Sequence, residues 1–328
     1  MTVHHTTAQR RKFRELLASK RYFPMPGGIS PIFAQMAAKA GFDCFFLAGS
    51  QLGAYLLGVA DNGFMGLRDL VDHARHMASA ADIPILVDCD TGFGNAVNAH
   101  YAVQQVIGSG VAGMQIEDQE APKKSSIGAG RRCISADEAI GKYRAAVAAR
   151  DALDPDFVLC ARCDVLGAEG GSFEEAVQRS IRYVKEGGVD FIWLNSLESR
   201  DQVREACARI PAPVLTVYGG PHPRPTAAEY EALGLRFNLY IGLVMPLAAN
   251  AVWHAMQDFK IRGEDAILDR VNQIRESPFG AVDMAALTGE PLVRELEQKF
   301  IPADQQRNYA ATWGHPTYFE GEGDAKKD

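Results

Sequence analysis

Five carboxylates stand at the ends of three successive apolar runs: Asp88 and Asp90 in VDCDTGFG, Glu117 and Asp118 in MQIEDQ, and Asp164 in VLCARCD. Such a set repels itself unless positive charge sits within it. Arg162 and Lys123 supply two cations, and a hard divalent ion is the natural third. Magnesium suits the set because it takes oxygen ligands, keeps several waters and needs only one or two direct carboxylates; manganese is the alternative ion. Asp88 and Asp90 are two apart, so on one strand they face the same side. Thr91-Gly92-Phe93-Gly94 then reads as a turn that lets backbone approach a ligand. A lone acid here would read more simply as the cap of a following helix. Acids repeated on successive strands ask for a shared positive partner.

These residues need a frame that gathers successive strand ends. The chain alternates β-rich runs with helical stretches. The runs are YFPMPGG, CFFLAG (44–49), PILVDCD (84–90), GMQIEDQ (113–119), FVLCARCD (157–164), FIWLN (191–195), PVLTVYG (213–219) and RFNLYIG (236–242). A first helix is expected over about residues 7–20. Between the first two runs Ile32, Phe33, Met36 and Ala37 recur at helical spacing. Ser135 with Glu138, and Ser172 with Glu175, read as capping boxes. Several strands are continuous apolar runs, as parallel strands buried on both faces should be. Eight β/α units in series predict an α/β fold, a closed (β/α)8 TIM barrel. A doubly wound open sheet competes, but no GxGxxG follows the first strand. The barrel with its N-terminal helix is assigned to residues 1–261. Additional C-terminal helices and a polar tail, GEGDAKKD, fill 262–328. Barrel catalysis sits at the C-terminal strand ends. Here those ends carry Gly49-Ser50, Asp88 and Asp90, Glu117 and Asp118, Arg162 and Asp164, Asn195, and Tyr218-Gly219.

Composition bounds the partners. The chain has 328 residues, 47% hydrophobic, with a net charge of -7. No global attraction for a polyanion exists, so nucleic acid is not an expected partner. No apolar run approaches a membrane span, and MTVHHTTAQRRKFRELL lacks the apolar core of a secretion signal. The six cysteines are scattered, mostly in apolar runs. Cys160 and Cys163 have CxxC spacing, but no second Cys/His pair completes a zinc set. Reduced core thiols are the reading, and a cytoplasmic location follows.

VDCDTGFGN (87–95), followed by GVAGMQIEDQEAPKK (110–124), resembles the isocitrate lyase/phosphoenolpyruvate mutase superfamily. The likeness extends to GFDCFFLAG upstream and DPDFVLCARCD downstream, over roughly residues 20–260. The resemblance implies a magnesium enzyme that acts on a small carboxylic acid through an enolate. It implies that Asp90 is the direct metal ligand, with Asp88 and Glu117 holding the metal through water or orienting substrate. Asp61, in GVADNG, would lie near substrate and metal. Ala48, Gly49 and Ser50 would meet the substrate carboxylate or oxyanion, and Arg162 would pair with that end. Lys123 would begin a mobile loop that closes over the site. Asn195 and Tyr218, with Trp193, would shape the pocket. The C-terminal helices resemble those the family exchanges between barrels, which implies a homo-oligomer, a dimer of swapped dimers.

One stretch departs from the lyase pattern. Lyase members carry a Lys-Arg/Lys-Cys-Gly-His loop whose cysteine donates a proton. This chain reads Lys123-Lys124-Ser125-Ser126-Ile127, with Ser125 at the cysteine position and Ile127 at the histidine position. Cys133 is eight residues further on. PKKSSIGAGRR (122–132) is similar to the phosphonate-handling branch, where Arg131 and Arg132 would help neutralise a phosphoryl group. The spacing from Ala48 to Asp61 resembles the lyases. Asn195 stands where lyases have Glu and phosphonate enzymes His, and His222 lies beyond strand seven. Three readings stay open: a carbon–carbon lyase or decarboxylase, a phosphonopyruvate-type hydrolase or phosphoenolpyruvate mutase, and a non-catalytic barrel. In the first, Ser125 replaces the usual acid beside Lys123, Arg162 and Glu117.

Overall fold

The computed structural model describes residues 3–276, 284–309 and 311. The polar tail lies outside the described residues. Eight parallel strands close into a barrel in chain order: β1 Phe23–Gly28, β2 Phe45–Leu47, β3 Ile85–Asp88, β4 Gly113–Glu117, β5 Val158–Cys163, β6 Phe191–Leu194, β7 Val214–Val217 and β8 Phe237–Tyr240. The expected (β/α)8 architecture is the observed one. Strand parity divides two apolar layers. Phe46, Leu86, Val158, Cys160, Phe191, Leu215, Phe237 and Leu239 fill the barrel interior. The alternate strand residues, such as Leu47, Val87, Ile116, Ala161 and Leu194, meet the surrounding helices. Cys160 faces in and Cys163 faces out, so the CxxC pair cannot converge on one metal. Both are free and buried thiols, and burial pushes each well up.

The N-terminal helix runs from Val3 to Ala18 and starts earlier than its apolar spacing suggests. Phe13 packs edge-on to Phe191 and tilted on Phe237, at the N-terminal strand ends. Arg14 donates to the carbonyls of Pro155, Asp156 and Phe157, and Arg10 to those of Ile107 and Val111. These bonds satisfy carbonyls at the barrel floor, so the floor is plugged and only the opposite mouth stays open for chemistry.

Local signals set the helices. Ser135 and Ser172 accept from the Glu138 and Glu175 amides, which is the serine half of each expected box. The Glu175 carboxylate turns instead to Arg179. Full reciprocal boxes form at Asn95–Asn98 and at Thr226–Glu229. After β2 a helical turn, Gly49–Gln51, runs into a π-helix, Leu52–Leu57, which apolar periodicity did not signal.

Contacts divide the chain into two compact units, Met1–Met245 and Pro246–Asp328. The helix Met245–Arg262 therefore goes with the second, which adds helices Glu264–Glu276, Met284–Thr288 and Glu290–Phe300. Among the described residues no helix is long and apolar enough to cross a membrane.

Candidate active site

Parallel register builds the site. Asp88 is paired in register with Gln115, Glu117 with Arg162, and Arg162 with Trp193. All point into the barrel at its C-terminal end, so neighbours on the ladder become neighbours in the mouth. Gln115 Nε2 donates to Asp88 Oδ1. Arg162 Nη1 lies 3.1 Å from Glu117 Oε2, and Arg162 Nε lies 2.8 Å from Asp164 Oδ2. The Arg162 guanidinium also covers the Trp193 ring, 4.3 Å from its centroid. Fully buried, this arginine has its geometry fixed on three sides.

Asp88 and Asp90 converge for a different reason from the expected one. The strand ends at Asp88, and Asp90 sits in a left-handed turn at φ 46°. Asp tolerates that region better than most residues. The Asp90 amide donates to Asp88 Oδ1 at 3.1 Å, and the Asp90 carbonyl accepts from the Glu117 amide at 2.8 Å. The turn, not the pleat, brings the second acid back over the mouth. Gly49 donates its amide to Asp88 Oδ2 at 3.2 Å. A Cβ on Gly49 would meet that carboxylate at 3.0 Å, so any larger residue here would crowd Asp88. The Gly49 amide expected to meet substrate is thus engaged by Asp88. Ala48 is buried beneath it and Ser50 is half-buried.

Lys123 is almost wholly buried, with Nζ 2.7 Å from Asp61 and 2.5 Å from Asp90. Burial would lower this ammonium, but Glu117, Asp88, Asp90 and Asp61 together outweigh it and raise it. Burial, and then the charge of Asp88, push Asp90 up to about 6 against the pull of Lys123. Burial pushes Glu117 well above the usual carboxylate range despite Arg162. Asp164 moves the other way: Arg162, Arg131 and Asn195 overcome its burial and hold it low.

The site divides the acids. Asp61, Asp88, Asp90 and Glu117 border the mouth with Lys123 and Arg162. Asp118 faces outward, where it accepts from Tyr183 Oη at 2.8 Å and from the Asp164 amide at 2.8 Å. Cys133 Sγ donates to the same Asp118 carboxylate, away from the mouth. Asn195 donates its amide to Asp164 Oδ1 at 2.6 Å, so it holds Asp164 in place. Arg131 is neither a solvated loop charge nor a free phosphoryl clamp. It is buried, 2.9 Å from Asp164, and donates to Ser196 Oγ at 3.1 Å. Arg132 pairs with Glu169 at 2.8 Å on the surface. Tyr218 is half-exposed and stacks on Tyr240.

Segment 120–132 leaves and rejoins the barrel through a narrow neck. Gln119 and Cys133 form an antiparallel bridge, and the Glu120 amide donates to the Arg132 carbonyl at 2.8 Å. Ser125 is half-buried, and its carbonyl accepts from the Gly128 amide. Ser126 and Ile127, rather than Ser125, line a cavity of about 340 Å³ over β6 and β7.

The donors fit a hard divalent cation. Among the described residues, Asp61, Asp90, Glu117 and Asp164 pair with Lys123, Arg131 and Arg162, and Asp88 has no cation within ion-pair distance. Full ionisation leaves two negative charges, the charge of one such ion. Glu117 Oε1 is buried without a hydrogen-bond partner, and Asp90 Oδ1 has its ion pair but no aligned hydrogen bond. Among the described residues no three His, Cys, Asp or Glu side chains form a group that could hold a metal. Such a cage is the signature of zinc or calcium, whereas magnesium binds through one or two carboxylates and water. Two residues escaped sequence reasoning: the buried Gln115, which steers Asp88, and the half-buried Ser196, in a left-handed conformation at φ 63°. The polar Gln115, two before Glu117 in an apolar strand, was the available signal.

Comparison with known proteins gives the family. The phosphoenolpyruvate phosphomutase family model matches residues 13–260. The chain is 36% identical over 252 residues to 2,3-dimethylmalate lyase of Eubacterium barkeri, covering 75% of this chain and 86% of that one. It is 32% identical to probable 2-methylisocitrate lyase 1 of Corynebacterium glutamicum, over 80% of this chain and 86% of the relative. A solved phosphoenolpyruvate phosphomutase from Streptomyces platensis subsp. rosaceus superposes with a TM-score of 0.79 at 29% identity, covering 89% of this chain and 99% of that one. Oxaloacetate acetylhydrolase bound to 3,3-difluorooxalacetate superposes with a TM-score of 0.78 at 28% identity, covering 89% and 97%. The chain belongs to the phosphoenolpyruvate phosphomutase family, within the isocitrate lyase/phosphoenolpyruvate mutase superfamily, and is an enzyme of that superfamily.

Proposed function

We propose that the chain is a magnesium-dependent lyase that breaks a carbon–carbon bond in a small 2-hydroxy or 2-oxo dicarboxylic acid, through an enolate. The observation that supports it most is the placement of Asp88, Asp90 and Glu117 beside Lys123 and Arg162 at one barrel mouth. Asp90 would hold the ion directly, with Asp88 and Glu117 acting through water. When bound, the ion supplies Lewis-acid neutralisation of charge that develops on the substrate oxygens. Arg162 presents a fixed positive charge to a carboxylate, and its rigidity means little reorganisation during reaction. Lys123 offsets the acids that no carboxylate substrate could otherwise approach. The loop at 120–132 covers the mouth and excludes water. Ser125, alone or through a water, returns a proton to the departing carbon.

A carbon–phosphorus reading is favoured by Ser125 in place of the lyase cysteine. Against it, Arg131 and Arg132 already have carboxylate partners and are not free for a phosphoryl group. A panel of malates and isocitrates, read by release of 2-oxo acid, tests the lyase reading. Phosphonopyruvate followed by phosphorus NMR tests the other. Turnover in the second assay alone reverses the preference. Asp90→Ala should lower kcat by about 100-fold or more. An Asp90→Ala protein with undiminished activity would remove Asp90 from the proposed metal site.

A further inference from the structure

The cavity under the loop tip has a chemistry that the metal side of the mouth lacks. Its walls are Ile127, Leu197, Val217, Tyr218 and Ile241, with Ser126 and backbone between them. Its floor is Asn195, whose amide is committed to Asp164. Asp164 in turn holds Arg162, so the cavity adjoins the reacting end of the site. No lysine, arginine or histidine lines it, and the one charged residue on its wall is Glu198. Ile127 is 93% exposed at the loop tip, an apolar side chain that gains burial only if something apolar lies beneath it.

We propose that this cavity is the substituent pocket of the substrate, and that it takes an uncharged alkyl group and rejects a third carboxylate. The inference rests on the carbon–carbon lyase reading for the identity of the reaction. A carboxylate placed here would find no lysine, arginine or histidine on the cavity wall to pair with and would share that wall with Glu198, an unfavourable combination for a charge. A methyl or ethyl branch would bury apolar surface against Ile127, Leu197 and Val217. The substrate class is therefore an alkyl-branched malate-type dicarboxylate rather than a tricarboxylate of the isocitrate type. Ile127 and Glu198 are the specificity-determining residues, one attractive and one repulsive.

The test joins turnover to binding. With magnesium present, kcat/KM for 2,3-dimethylmalate should exceed that for 2-methylisocitrate by at least about tenfold, the scale of one well-matched apolar group. In calorimetry, 2,3-dimethylsuccinate should bind more tightly than propane-1,2,3-tricarboxylate. Ile127→Asp should weaken the alkyl ligand, and Glu198→Lys should narrow or invert the discrimination. If no acid is cleaved but these binding preferences hold, the pocket stands and the lyase reading falls. Tighter tricarboxylate binding, faster methylisocitrate cleavage, no binding of either ligand, or indifference to both substitutions would overturn the pocket.

Discussion

At the scale of single residues, the proposed lyase reaction gives the two loop serines separate tasks. A hydroxyl is a much weaker acid than a thiol, so its proton transfer depends on position rather than on intrinsic acidity. Ser126 lines the cavity and Ser125 does not. Ser125→Ala should therefore lower kcat by about 100-fold with KM little changed, the size of a lost general acid. Ser126→Ala should instead raise KM and leave kcat near its original value. Steady-state kinetics on the best substrate separates the two, and the reverse pattern would move the donor to Ser126. Arg162 offers a second residue-scale check. Lysine cannot reproduce its fork to Glu117 and Asp164 or its cover over Trp193. Arg162→Lys keeps the charge but loses these bonds, and should cost roughly 2 kcal/mol of stability, as a lost hydrogen bond to a charged group does, besides abolishing activity. Urea denaturation measures the first effect independently of the second.

At the scale of elements, much was legible because it depends on local pattern. Continuous apolar runs marked the strands, and the acids at their ends marked the mouth. The serines before Glu138 and Glu175 marked helix starts. What sequence left hidden depends on partners distant in the chain. Arg131 reads as a loop charge until Asp164, 33 residues on, captures it. Asp90 reads as a strand residue until its left-handed turn is seen. The π-helix after β2 has no periodic signal of its own. Helix Ala227–Ala232 shows what a complete cap does. Hydrogen bonds from Arg200 and then from the Thr226 amide and hydroxyl hold Glu229 at about 2, against 4.5 for an ordinary glutamate. Between those values the unfolded chain binds the proton and the folded chain does not. Glu229 thus contributes stability that is complete above pH 4.5 and is lost as pH falls through 2. Urea midpoints measured from pH 6 down to pH 2 should fall less steeply for Glu229→Gln than for the parent. Parallel slopes would show that the bonds to Arg200 and Thr226 make no net difference in solution.

At the scale of the whole molecule, the second compact unit leaves its apolar residues in an unusual place. In helix Met245–Arg262 no residue is buried, yet Leu247, Val252, Trp253, Met256, Phe259 and Ile261 are all substantially exposed. Helix Glu290–Phe300 likewise exposes Leu292, Val293, Leu296 and Phe300. Single exposed apolar residues are ordinary, but a run of them along one helix marks an interaction surface. We propose that copies of this chain associate through these helices. Burying such a surface on association would remove apolar area from water in each copy, so assembly and stability should rise together with concentration. Light scattering should give a mass of at least a dimer. Trp253→Glu with Phe259→Glu should shift the mass toward the monomer and lower the thermal midpoint at a given concentration. The barrel mouth would keep its acids and Lys123 in such a monomer, because every one of them lies in Met1–Met245. A monomeric parent protein would show instead that the exposed helix faces serve some other partner.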